Sequence, residues 1–61
     1  RRAVYPIRDL SAGEIIREED LIVLRPNHGI DARDTEKIIG LMAKKDIKAL
    51  SVLSWEIFES K

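Results

Sequence analysis

A repeat within the chain restricts its fold more than any other feature. Setting Asp46 under Asp9 lays residues 46–58 over residues 9–21, and four placements agree in kind: the two Asp residues, Leu10 with Ile47, the pair Ile15 and Ile16 with Val52 and Leu53, and Leu21 with Phe58. A solenoid needs three or more units to bury a continuous face, so two short units must bury their apolar side chains against each other. The repeat therefore predicts two related halves around one core, with pseudo-twofold symmetry and short strands. It also contains a mismatch, because Gly13 of the first copy faces Leu50 of the second. Ser11, Ala12 and Gly13 read as a tight turn using positive φ. Leucine lacks that freedom, so the second turn is expected to be rebuilt around packing of Leu50, flanked by Ala49 and Val52.

Size and charge bound the rest. Sixty-one residues make one small domain, which buries roughly 60% of the surface its unfolded chain exposes. With no Cys, no disulfide and no Cys/His zinc cluster can supplement the core, so stability must come from packing of the 44% of residues that are hydrophobic. Eleven basic residues balance eleven acidic ones, leaving no net field to favour nucleic acid or an anionic membrane. The longest purely apolar run, residues 21–24, is far short of the roughly 20 residues of a membrane helix. A start at Arg1 and Arg2, with no initiator Met, points to a piece of a longer protein.

In chain order, residues 1–7 read as a strand that Pro6 either confines to a sheet edge, the expectation preferred here, or interrupts. Ile15 and Ile16 read as a short buried strand, and Glu18, Glu19 and Asp20 as a single helical or 3-10 turn. That acidic run is expected to be solvated and not a metal site. Ile22, Val23 and Leu24 form a strand, Pro26 ends its pairing, and Asn27, His28 and Gly29 carry turn chemistry. Residues 31–40 predict a short helix capped by Asp31 or Asp34 and stopped by Gly40, with Ile38 and Ile39 facing the core. Met42 is core filler, and Lys44 and Lys45 make a solvated bend.

Any site is expected in residues 21–30. The guanidinium of Arg25, between an apolar strand and a proline, can reach a carboxylate, phosphate or amide oxygen; a surface ion pair is the plainer reading. His28 reads as an exposed turn residue, because no orienting partner for acid–base work is visible. Trp55 is a core or rim aromatic, or else a platform for a ligand.

The ordered set of Arg1 to Tyr5, Asp9 and Leu10 with Gly13 to Ile16, Leu24-Arg25-Pro26 with Gly29 and Ile30, Ile39-Gly40, and Asp46-Ile47 with Leu53 to Trp55 resembles the C-terminal antifreeze-like (SAF) domain of bacterial sialic acid synthases, the N-acetylneuraminate synthase family. The resemblance covers residues 1–61 as one domain and departs from the family pattern at Leu50 and Val52. It implies a mostly β fold with short 3-10 and α turns: the β-clip-like pretzel of type III antifreeze proteins, with internal pseudo-twofold symmetry. It further implies a cytoplasmic enzyme whose TIM barrel, absent here, condenses phosphoenolpyruvate with N-acetylmannosamine or a related amino sugar using a divalent metal, Mn or Mg. This domain would hold no cofactor and no catalytic residue. It would pack over the barrel of the partner subunit in a domain-swapped homodimer, where Arg25 would reach the sugar's N-acyl group in trans with Asn27 and His28 as loop neighbours. Neither nucleic acid nor membrane is an implied partner. An alternative is a SAF module of a periplasmic pilus or flagellar assembly protein. A stand-alone ice-binding protein would need a flat, weakly charged surface, which a chain 36% charged with Thr35 as its only threonine does not promise.

Overall fold

A computed structural model describes residues 1–60. Strand β1 (Ala3–Pro6) pairs antiparallel with β2 (Leu21–Leu24), setting Tyr5 opposite Ile22 and Pro6 opposite Leu21. Strand β3 (Met42–Ala43) pairs antiparallel with β4 (Phe58–Glu59), setting Met42 opposite Glu59 and Ala43 opposite Phe58. The second pair is the first displaced along the chain by the same interval that separates Asp46 from Asp9. The two halves meet at an antiparallel bridge between Leu10 and Ile47, each N–H donating to the other's carbonyl at 2.7 and 2.8 Å. Beside it the two aspartates are exchanged: Asp9 accepts from the Ala49 N–H at 2.8 Å and Asp46 from the Ala12 N–H at 2.9 Å. Each half thus caps the other's turn, which is what the matched Asp positions in the repeat do.

The turns themselves correct one expectation. In the first, the Gly13 N–H donates to Ala43 O and the Glu14 N–H to Ser11 O; in the second, the Leu50 N–H donates to Pro6 O and the Ser51 N–H to Lys48 O. Gly13 has φ 92 and Leu50 has φ 61. The second turn therefore keeps the geometry of the first and is not rebuilt around Leu50, whose side chain is 59% exposed. Hydrogen bonds from both halves hold the backbone left-handed, and the leucine accepts the strain. A non-glycine residue there costs roughly 1–2 kcal/mol, while glycine adds back less than that in unfolded-chain entropy. Leu50→Gly should therefore stabilise the domain by about 1 kcal/mol and raise Tm by about 4–8 °C. A thermal melt checks this, and a lower Tm would contradict it.

The core joins Val4, Leu10, Ile16, Ile30, Ile38, Ala43, Ile47, Leu53 and Phe58, with Leu21, Leu41 and Ile57 packed against it. Contrary to the edge expectation, β1 lies inside: β2 flanks one side, Ala3 bridges Asp31 on the other, and all four of its residues are buried; the other reading holds, since the strand stops at Pro6. Pro6 is tolerated because it ends the strand, where no further ladder donor is needed, and its carbonyl serves Leu50. The exposed strand is β2. Ile15 makes only an isolated bridge to Met42 and is half-buried, so residues 15 and 16 are not a strand, although Ile16 is fully buried.

The expected helix is a 3-10 turn, Ala32–Asp34, running into α1 (Thr35–Ile38). Of the two candidate caps, Asp31 is the one whose carboxylate accepts from the Arg33 N–H, at 3.0 Å. Gly40, at φ 96, follows Ile39 at the helix end. The 3-10 turn Glu18–Asp20 forms as expected, but it is not wholly solvated. Asp20 is 4% exposed and accepts from Arg8 Nε at 2.9 Å and from the Arg17 N–H at 3.3 Å. Its counterpart in the second half is Ile57, which packs on the core. The position therefore faces inward in both halves, and Arg8 is what lets a carboxylate occupy it. That contact holds the Arg8 guanidinium above its ordinary pKa.

Candidate functional site

Strand β2 delivers Arg25 to the surface, and the chain turns at once through a cis Arg25–Pro26 peptide. The turn is fastened from below. The hydroxyl of Tyr5, buried in β1, donates to the Pro26 carbonyl, and the His28 N–H donates to the same oxygen at 3.2 Å. A buried tyrosine hydroxyl needs a partner, so strand and loop are tied by one requirement. The Asn27 amide donates to Asp31 at 3.1 Å, which closes the far end of the loop. The Asp31 carboxyl is held below its ordinary pKa, first by the Arg33 N–H, against the opposing effect of desolvation, and then by the Arg33 and Arg1 guanidinium groups at 3.5 and 3.8 Å.

Gly29 brings the loop onto the second half of the molecule. A Cβ built on it would stand 2.6 Å from the Leu53 carbonyl oxygen and 3.0 Å from Val52 Cγ1, so only glycine permits this approach. Alongside lies an open groove of about 330 Å³ lined by His28, Gly29, Val52, Ser54, Trp55 and Glu56, among others. Trp55 is 47% exposed on its rim.

The structure thus sorts the three residues singled out in the loop. Arg25 is exposed and makes no ion pair among the described residues, so the surface pair that was its plainer reading does not form. Its side chain is presented outward from a backbone fixed on both sides. Asn27 is turned inward and spends its amide on Asp31, so it shapes the loop. His28 is exposed, as expected, and borders the groove. Two participants escaped the sequence reading. Tyr5 enters the sequence analysis only as part of the strand over residues 1–7, although a lone phenol in an apolar strand signals a buried hydroxyl seeking an acceptor. The approach of Gly29 to Val52 and Leu53 has no signature in residue order. Among the described residues no group of three or more His, Asp or Glu side chains is gathered as a metal site would require, and no helix is long and apolar enough to cross a membrane.

The SAF domain family model matches residues 1–59. The chain belongs to the SAF domain family. This SAF domain is 38% identical over 60 residues to N,N'-diacetyllegionaminic acid synthase of Legionella pneumophila, covering 98% of the chain and 17% of that enzyme. It is 34% identical over 58 residues to pseudaminic acid synthase of Helicobacter pylori, covering 95% of the chain and again 17% of the enzyme. The domain therefore spans about a sixth of the length of these relatives. Among solved structures, the flagellar protein FlgA from Thermotoga maritima superposes with a TM-score of 0.85 over 98% of this chain and 25% of its own, at 23% identity. That likeness shows the fold: short β strands linked by 3-10 and α turns, in the SAF arrangement.

Proposed function

We propose that this SAF domain is the substrate-contacting lid of a nonulosonic acid synthase, an enzyme joining phosphoenolpyruvate to an N-acylated amino sugar through a new C–C bond. The observation that carries the reading is Arg25: a guanidinium free of ion pairing among the described residues, held outward by the Tyr5–Pro26 fastening, in a chain whose relatives are sugar acid synthases along almost its whole length. A planar fork of donors suits an amide oxygen, and the sugar's N-acyl group offers one.

The lid sits over the barrel of the partner subunit in a cytoplasmic homodimer, and Arg25 completes that subunit's site in trans. Its part is to bind and orient the sugar, since it has no neighbour here that would make it an acid or a base. The divalent metal of the condensation, Mn or Mg, belongs to the barrel; the described residues of this domain do not fit one, and no step within the domain runs through it. The Legionella relative is named for a diacetylated acid, and we extend that to this protein as a sugar substrate carrying two N-acyl groups. The flagellar assembly reading has behind it a structural likeness at 23% identity, which speaks for fold alone, whereas the synthase relatives match almost the whole chain at 34–38% identity and support the reading proposed here.

The full-length protein, incubated with phosphoenolpyruvate, Mn or Mg and N-acylated amino sugars, should release inorganic phosphate and a nine-carbon keto acid detectable by mass. Release of neither from any such sugar would reject the reading.

A further inference from the structure

We infer that the groove beneath the Arg25 loop is a second acyl subsite, in which Trp55 receives the second N-acyl group of the sugar and sets a preference for doubly acylated substrates. The inference rests on the synthase reading above and adds to it a residue and a selectivity. The internal symmetry of the fold supplies the first support. Trp55 opens the 3-10 turn Trp55–Ile57, and the same place in the 3-10 turn Glu18–Asp20 is held by Glu18, which is exposed. The fold therefore needs no aromatic there, and half of the indole is left in solvent. Val52, in the groove wall, is likewise 52% exposed, whereas its counterpart Ile15 is half-buried and bridged to Met42. Two apolar side chains are thus spent on a surface where packing does not require them.

The chemistry of the lining supplies the second support. An N-acyl group presents a methyl, an amide N–H and a carbonyl oxygen. Trp55 and Val52 offer the methyl an apolar seat, the Glu56 carboxylate and the Ser54 hydroxyl can accept from the N–H, and His28 can donate to the carbonyl. A volume of about 330 Å³ lies at the lower end of small-molecule sites and exceeds a single acetamido group, so the ring edge bearing the group enters with it. Position supplies the third. His28 borders the groove and lies three residues beyond Arg25 in a loop fixed by Tyr5, Asn27 and Gly29, so the two acyl contacts share one rigid support.

The test compares kcat/KM for a doubly and a singly N-acylated sugar in the full-length enzyme and in its Trp55→Ala, Trp55→Phe and Arg25→Ala variants, with Tm as a folding control. A hydrophobic contact of this size is worth about tenfold in discrimination or somewhat more. Trp55→Ala should lower kcat/KM about tenfold for the doubly acylated sugar, mainly through KM, and change it less than about twofold for the singly acylated one. Trp55→Phe should retain most of the preference, and Arg25→Ala should lower both sugars alike. If Trp55→Ala lowers both equally or neither while Arg25→Ala lowers both, the subsite is wrong and the synthase reading stands. If neither sugar is condensed by the wild-type protein, both are wrong.

Discussion

Ile16→Ala and Leu53→Ala should each remove about 2–5 kcal/mol of folding stability. The two side chains occupy equivalent places in the two halves, each 1% exposed and each in the single core. Truncating either leaves a cavity that a domain without disulfides has little other packing to offset. At roughly 0.05–0.15 kcal/mol per residue, a domain of this size holds about 3–9 kcal/mol in all, so one substitution consumes a large share of it. The outer neighbours give the contrast: Ile15 is half-buried and Val52 half-exposed, and their replacement by Ala should each cost less than about 1 kcal/mol. Urea unfolding of the four variants checks the set. Comparable losses at Ile16 and Leu53 support the two-halves core, and mild effects at both would contradict it.

Gly29→Ala should be nearly as severe, for a different reason. The added Cβ meets the Leu53 carbonyl oxygen at 2.6 Å and the Leu53 nitrogen at 3.1 Å, and these are backbone atoms that cannot rotate away. Either the loop lifts or residues 52–53 retreat, and overpacking of this kind costs about 1–3 kcal/mol. Because the loop carries Arg25 and His28, the same change should lower sugar turnover in the full-length protein beyond what its stability loss explains. Gly13→Ala provides the control. Its Cβ meets nothing within 4 Å, and its only penalty is the positive φ of 92. A Gly29→Ala protein with unchanged Tm and unchanged sugar kcat/KM would show that the close approach matters neither to the fold nor to the site.

The repeat makes much of this legible in the sequence. Matching Asp9 with Asp46 and Leu10 with Ile47 located the centre of the molecule, where those four residues join the halves. Turn chemistry and the helix stop at Gly40 were equally visible, because they are local. The misreadings arose where a nonlocal partner overrode a local preference. Leu50 keeps a glycine's conformation because Pro6, Asp9 and Lys48 hold its turn. Asp20 is buried because Arg8 reaches it across twelve residues. Pro6 ends an interior strand because Asp31 pairs with Ala3 from the other side. At the site, residue types pointed to Arg25 and to the loop that carries it. What fixes that loop, the Tyr5 hydroxyl and the contact of Gly29 with Leu53, depends on chain crossings that residue order does not encode.

The central claim, that Arg25 serves the sugar and not the fold, is tested most directly by Arg25→Ala kinetics in the full-length protein. Losing a charged hydrogen bond to the N-acyl oxygen costs roughly 1.5–3 kcal/mol, so kcat/KM for the sugar should fall about ten- to hundredfold. KM for phosphoenolpyruvate and Tm should stay nearly unchanged, and Arg25→Lys should restore only part of the loss, because a point charge lacks the planar fork. A fall in Tm that accounts for the lost activity, or an equal loss towards both substrates, would contradict the assignment and make Arg25 a structural residue.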